Sequence, residues 1–165
     1  MRDSSGVSIF RALFASPVGV LEIVEQGGAL RELHFRSSRE APPSEPPLSP
    51  LLQRCLRELE EYFQGTRRSF TVPLHLQGTP FQVQVWQALQ EIPYGETRSY
   101  QEIAVAIGNP RALRAVGGAN NKNPLALLVP CHRVIGKDGS LTGFGGGLDI
   151  KEWLLEHEKR HTLKR

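Results

Sequence analysis

Ser99-Tyr100-Gln101-Glu102-Ile103-Ala104-Val105-Ala106-Ile107-Gly108-Asn109-Pro110-Arg111-Ala112-Leu113-Arg114-Ala115-Val116-Gly117-Gly118-Ala119 holds two short helical patterns around one tight break. Ser99 and Glu102 have the spacing of a capping box: the hydroxyl accepts from the third amide of a helix and the carboxylate reaches back to the cap amide. Gly108 closes that helix. Asn109-Pro110 is expected to cap the next helix almost at once and to carry it to about Ala119, with Arg111 and Arg114 on it. Two such helices form a helix-turn-helix candidate. A pair like this is more often ordinary packing than a DNA reader. Here the rest of the second helix is mostly small, and Gly117-Gly118 would let its backbone press closely on a duplex. It carries few polar side chains suited to reading base edges in a major groove, which argues against a sequence-specific regulator.

Downstream, Asn120 to Pro124 reads as a polar turn, and Leu125-Ala126-Leu127-Leu128-Val129 as a buried apolar run. Pro130 biases Val129 toward an extended conformation and fixes its own φ, so Cys131 sits at a stiff corner. His132 can move protons near neutral pH and Arg133 is a permanent cation. A thiol in that company is a candidate thiolate nucleophile. The commoner fate of a free cysteine is to be a small buried hydrophobe. On an extended segment adjacent side chains would point to opposite faces, so adjacency alone makes no dyad. Beyond it, Asp138-Gly139 suggests a hairpin between Val134-Ile135 and Leu141-Thr142. Thr142 to Gly147 is glycine-dense, which suits a mobile loop or close approach to a ligand. It lacks the strand–turn–helix setting of a dinucleotide fingerprint. Asp149, with Glu152 three residues on, is expected to cap a final helix through His157, its last-turn dipole complemented by Lys159, Arg160 and His161.

Upstream, Thr79-Pro80 opens a helix through Phe81, Val85, Trp86 and Leu89, and Gln77-Gly78 before it marks a boundary. The expected domains are 1–77 and 78–165. In the first, Val7 to Ser16, Val20 to Glu25 and Leu30 to Phe35 read as strands, with a hairpin turn at Gly27-Gly28. Ser37 to Pro50 contains five prolines and reads as a loop without regular structure. Ser49 caps and Pro50 opens a helix whose apolar face is Leu52, Cys55, Leu56, Leu59 and Phe63, stopped by Gly65. A short strand, Phe70 to Leu76, is expected to follow. The predicted fold is therefore an α/β N-terminal subdomain, a small antiparallel sheet with a helix, joined to a mostly α C-terminal domain with a helix-turn-helix in a winged-helix-like arrangement.

At 165 residues and 39% apolar content the chain can bury a real core. Nothing approaches a membrane span, and Met1 to Phe14 lacks the apolar core of a signal peptide. Two cysteines make no disulfide framework, which favours a reducing, cytoplasmic setting. No Cys/His cluster has zinc spacing, and no metal or cofactor is expected. Net charge is only +3, yet between Arg98 and Lys137 stand six basic residues (Arg98, Arg111, Arg114, Lys122, Arg133, Lys137) against Glu102 alone. Such a segregation suits a polyanion partner, and equally a solvated basic surface.

Pro130-Cys131-His132-Arg133-Val134, with Arg114-Ala115-Val116-Gly117-Gly118-Ala119 before it and Lys151-Glu152-Trp153-Leu154-Leu155 after it, resembles the O6-alkylguanine-DNA alkyltransferases, over about Gly78 to Glu158. The resemblance implies DNA repair by direct reversal: the alkyl group of O6-alkylguanine, and of O4-alkylthymine, passes once and irreversibly to Cys131. It implies His132 as base acting through a water, Glu158 orienting the imidazole, Tyr100 as acid near guanine N3, and Asn123 bracing the turn before the active corner. Arg114 would replace a flipped base, with Arg111, Ala115, Gly117 and Gly118 along the minor groove of double-stranded DNA. Pro130, Ile135, Phe144 and Gly145 would line the base pocket. Phe144 stands where many relatives have tyrosine, and Gly145 where mammalian members have serine, so fewer O6 donors are expected. The protein would act as a monomer without cofactor. Without the resemblance, Cys131-His132 also fits a Cys-His hydrolase, and Glu158 reads as a helix-end charge.

Overall fold

The computed structural model describes residues 6–36, 48–142, 144 and 147–163. The chain divides into two units, Met1–His75 and Leu76–Arg165. Most of the proline-rich stretch, 37–47, lies outside the described residues.

The first unit is a three-stranded antiparallel sheet, β1 (Ile9–Ser16), β2 (Gly19–Gln26) and β3 (Ala29–Phe35), in the order β1-β2-β3. Gly27 and Gly28 both take positive φ, 63° and 83°, which is the backbone of the tight hairpin turn their sequence called for. The central strand is buried along most of its length. Helix α1 (Pro50–Gln64) begins at Ser49, whose hydroxyl accepts from the Leu52 amide and donates to the buried Glu25 carboxylate, and ends at Gly65 in the left-handed region. Its buried face is Leu52, Cys55, Glu58, Leu59 and Tyr62, so Leu56 and Phe63 flank the core instead of filling it. The expected strand at Phe70–Leu76 does not form. Pro73 has no amide to donate, and the segment meets the sheet only where the Leu30 amide donates to Pro73 O and the His75 amide to Leu30 O.

The second unit is mostly helical: α2 (Pro80–Gln90), α3 (Tyr100–Ala106), α4 (Leu113–Asn121) and α5 (Leu148–Leu163), with a 3-10 turn at Cys131–Arg133. Capping boxes at Thr79/Gln82 and Ser99/Glu102 fix the starts of α2 and α3. A two-residue parallel ladder pairs β4 (Arg98–Ser99) with β5 (Val134–Ile135), placing the head of α3 beside the exit of the 3-10 turn. The Trp86 indole N–H donates to Ala119 O at 2.8 Å, which pins α4 to α2.

Four expectations are corrected here. Helix α4 starts at Leu113, not at Asn109-Pro110. Its cap position, Ala112, has no side chain to hold an amide, and Asn109-Pro110-Arg111 is spent on the turn, so Arg111 precedes the helix. Asn120 is buried inside α4 and does not belong to a solvent turn. Asp138-Gly139 does form a turn, closed by the Gly136 amide on Ser140 O, but no strand follows it; Val134-Ile135 pairs with β4 instead. Finally, Asp149 lies inside the first turn of α5, where it meets the helix dipole and does not cap. Among the described residues no helix is long and apolar enough to cross a membrane.

Candidate active site

Two consecutive tight turns deliver Cys131. The Leu128 amide donates to Ala126 O across Leu127, which takes φ 71°, a region that costs a branched residue on the order of 1–3 kcal/mol. At Pro130 (φ −78°, ψ 64°) the Cys131 amide donates to Val129 O at 2.7 Å, an inverse γ-turn. The apolar run before it is buried as expected except at the half-buried Ala126, from Leu125 at 0% exposure to Leu128 at 6%. Asn123 braces the whole corner: its amide donates to Val129 O at 2.8 Å and its oxygen accepts from the Leu125 amide at 2.9 Å. From α4, the Asn120 side chain reaches the Cys131 carbonyl, though only at 3.5 Å.

Cys131 through Arg133 then form a 3-10 turn, not the extended segment the sequence suggested. Successive side chains there diverge by about 120°, so Cys131 and His132 still do not face one another. His132 is wholly buried, and its Nε2 sits 2.7 Å from Glu158 Oε2. The carboxylate can only accept, so Nε2 holds the proton and Nδ1 presents its lone pair, with no hydrogen-bond partner among the described residues. Arg133 grips the same carboxylate with two bonds, Nε to Oε1 at 2.8 Å and Nη2 to Oε2 at 3.0 Å, while Nη1 donates to Ile92 O at 2.7 Å. The Gly95 amide also donates to Glu158 Oε1 at 3.2 Å. Gly95 has φ 81°, and a Cβ there would lie 2.2 Å from Thr162 Oγ1, so only glycine brings this amide so close to α5.

The electrostatics follow from burial. Desolvation raises the Cys131 thiol above its ordinary value, with the Asn123 side chain, the Lys151 cation and local backbone amides pulling it back. Burial lowers His132, against the pull of Glu158, so the imidazole is held neutral. For Glu158, burial alone would raise the carboxyl; His132 and Arg133 outweigh it and hold the group well below the usual carboxylate range. Cys55, in contrast, is wholly buried in α1 and pushed up to about 12, mainly by burial, as suits an inert core thiol.

A groove of about 580 Å³ is lined by Tyr100, Gln101, Leu113, Arg114, Gly117 and Lys137. The Tyr100 hydroxyl donates to Thr142 O at 3.0 Å and accepts from Thr142 Oγ1 at 3.2 Å. Arg114, Ala115 and Gly118 are exposed on α4, and Arg111 is exposed in the turn before it. Pro130 is buried, and Ile135 and Phe144 are partly buried. Gly145 lies outside the described residues. Thus the structure brings Cys131, His132 and Glu158 into one buried cluster, with the partly buried Asn123 bracing it, and places Tyr100, Arg114 and Gly117 on one groove. Arg111, Ala115 and Gly118 do not line that groove. Of the six cations counted between Arg98 and Lys137, Arg133 is buried on Glu158 and Arg98 pairs with Glu96 at 3.2 Å. Exposed positive charge is therefore left to Arg111, Arg114, Lys122 and Lys137.

Sequence reasoning missed Lys151. It is wholly buried, and its Nζ donates to Val134 O at 2.5 Å and Thr142 O at 2.8 Å. The signal was available: Lys151, Leu154 and Glu158 fall on one helical face, two charges on an apolar stripe. Among the described residues no group of three or more His, Cys, Asp or Glu could hold a metal.

The family model described as 6-O-methylguanine DNA methyltransferase, DNA binding domain, matches residues 80–160, and the corresponding ribonuclease-like domain matches residues 9–76. A methylated-DNA–protein-cysteine methyltransferase of Methanosarcina acetivorans is 50% identical over 153 residues, covering 91% of this chain and 98% of that protein. The crystal structure of Mycobacterium tuberculosis O6-methylguanine methyltransferase is similar with a TM-score of 0.85 at 44% identity, covering 96% of this chain and 97% of that one. The crystal structure of Mycobacterium tuberculosis OGT in complex with DNA gives 0.83 at 47% identity, over 92% and 94%.

Proposed function

The chain belongs to the 6-O-methylguanine DNA methyltransferase family, and from that premise we propose that it repairs DNA by moving the alkyl group of O6-alkylguanine, and of O4-alkylthymine, irreversibly onto Cys131. The observation that carries this reading is the orientation of His132. One ring nitrogen is clamped to Glu158 at 2.7 Å, and the other, one residue along the turn from Cys131, keeps its lone pair with no hydrogen-bond partner among the described residues.

The damaged base lies inside the duplex stack, so the nucleotide flips out at a cost of a few kcal/mol, less when it is mispaired. Helix α4 approaches through the minor groove, where its exposed Ala115 and Gly118 allow close contact. Arg114, on the groove shared with Tyr100 and Gly117, takes the place of the extruded base, and Arg111 holds phosphate. The base enters a pocket walled by Pro130, Ile135 and Phe144.

Burial keeps the Cys131 thiol protonated, so the nucleophile is made on site. Its proton passes through a water to His132 Nδ1, and the imidazolium is stabilised by Glu158, itself held by Arg133. The sulfur attacks the alkyl carbon in line; the S–C bond forms as the C–O6 bond breaks. The electron pair leaves with guanine, which takes a proton at N3 from Tyr100. Asn123 keeps the corner rigid throughout. The product is a thioether and the protein acts once, as a monomer on double-stranded DNA.

Exhaustive incubation with methylated duplex, then intact mass and peptide mapping, tests this. One added methyl on Cys131 is expected. Repeated turnover, or an adduct on Cys55, would overturn it. Cys131→Ala is expected to bind duplex and transfer nothing.

A further inference from the structure

In the second unit three formally charged side chains are buried: Arg133, Lys151 and Glu158. Arg133 and Glu158 neutralise one another through two short bonds. Lys151 is left over. It is 0% exposed, it takes part in none of the ion pairs among the described residues, and its two hydrogen bonds go to neutral carbonyls, Val134 O and Thr142 O. A buried ammonium without an anion is expensive, since backbone dipoles replace only part of its hydration. The neighbour able to become that anion is Cys131, which stands three residues before Val134 in the 3-10 turn that Lys151 tethers.

We infer that Lys151 is the counter-cation of the Cys131 thiolate and a positioning residue of the alkyl-acceptor site. It ties the exit of the cysteine turn to Thr142, the same carbonyl on which the Tyr100 hydroxyl rests, so one ammonium sets both the charge at sulfur and the seat of the tyrosine. The role rests on the proposed use of Cys131 as acceptor. The titratable behaviour agrees with the geometry: burial lowers Lys151 to about 8 and Cys131 alone pulls it back up, while Lys151 pulls Cys131 down. The other groups facing the pair cannot substitute. His132 is neutral on the same turn, Glu158 is already matched by Arg133 and Asn123 is an uncharged amide, while Tyr100 meets Thr142 as a neutral hydroxyl that turns anionic only after it has given its proton to guanine. A consequence is that any modification that leaves sulfur unable to ionise removes the anion that the Lys151 charge is placed to meet.

The test needs no damaged DNA, so it stands apart from the proposed function. Carboxamidomethylation of Cys131 by iodoacetamide, localised by peptide mass, is followed from pH 5 to 10 in the native protein, Lys151→Arg and Lys151→Gln. Lys151→Gln is expected to move the midpoint of the profile up by about one unit, slowing modification at neutral pH roughly tenfold. The rates should converge at high pH, and Lys151→Arg should stay near the native profile. Slowing by one factor at every pH, or no change, would overturn the inference. A second measurement covers a glutamine variant that fails to fold. In the native chain Cys131 is capped with methyl methanethiosulfonate, which leaves a neutral S-methylthio group, and the Lys151 side chain is titrated by isotope-edited NMR, assigned through Lys151→Arg. Its midpoint is expected to fall on capping; an unchanged or higher midpoint would sink the counter-cation role. If alkylated DNA leaves Cys131 untouched while both shifts are seen, the acceptor reading fails and the charge pairing stands.

Discussion

Glu158 receives hydrogen bonds from His132 Nε2, from Arg133 Nε and Nη2, and from the Gly95 amide. A carboxylate offers lone pairs for all of them; an amide does not. Glu158→Gln would turn an NH2 toward donors and leave Arg133 charged and alone, so it is expected to cost about 3–5 kcal/mol of stability, read by denaturant unfolding. It should also slow transfer, because the imidazolium loses its support. The pH sign follows from the depressed carboxyl. Its stabilisation is complete above the unfolded value near 4.3 and is lost as pH falls through the lower folded value. Native protein should therefore lose stability below about pH 4, and Glu158→Gln should flatten that acid limb. His132 is lowered by burial. Transfer to a free O6-alkylguanine base should accordingly hold its rate down to about pH 6.5 and decline only below it, as followed by the mass shift of the protein.

Helix α4 separates what its own stability asks for from what a duplex asks for. A Cβ built at Gly117 or Gly118 meets nothing within 4 Å, so the fold does not require glycine at either position. Gly117→Ala should stabilise the helix by roughly 0.5–1 kcal/mol while weakening duplex binding, measured by thermal melting and by titration with DNA. Arg114→Ala should slow transfer from duplex far more than from the free base; equal losses would count against the base-replacing role. At this scale the sequence was readable wherever structure is local. Ser49, Thr79 and Ser99 cap, Gly65 stops a helix and Gly27-Gly28 turns a hairpin, because each acts on amides within a few residues. It misled at Asn109-Pro110, where a good cap sequence was used to make a turn. Phe70–Leu76 failed as a strand because pairing depends on a distant partner and Pro73 cannot donate. Lys151 and Asn120 were unreadable for a related reason: their polar groups are satisfied by Val134, Thr142 and Cys131 carbonyls that come near only after folding. The Cys131, His132 and Glu158 cluster was legible through family resemblance; local chemistry alone left Glu158 a helix-end charge, and its burial is a tertiary fact.

Over the whole molecule a formal charge of +3 gives little general attraction to DNA. Within the basic segment from Arg98 to Lys137 the exposed cations are Arg111, Arg114, Lys122 and Lys137, since Arg98 and Arg133 are already paired. Duplex affinity should fall with rising salt, and Arg111→Ala should reduce the slope of log K against log salt by about one if that side chain neutralises one phosphate. The amide of Cys131 has its own consequence. It is committed to Val129 O at 2.7 Å, the bond that makes the corner at Pro130. Cysteine hydrolases cradle a negatively charged acyl oxygen with backbone donors near the nucleophile, and this donor is already engaged. The centre thus lacks this donor for an acyl oxygen, which agrees with the proposed displacement at saturated carbon, whose thioether product has no second reaction open to it. Under the proposed single transfer the protein is consumed like a titrant: a cell holding a given number of copies can erase that number of lesions, and recovery waits on the ribosome.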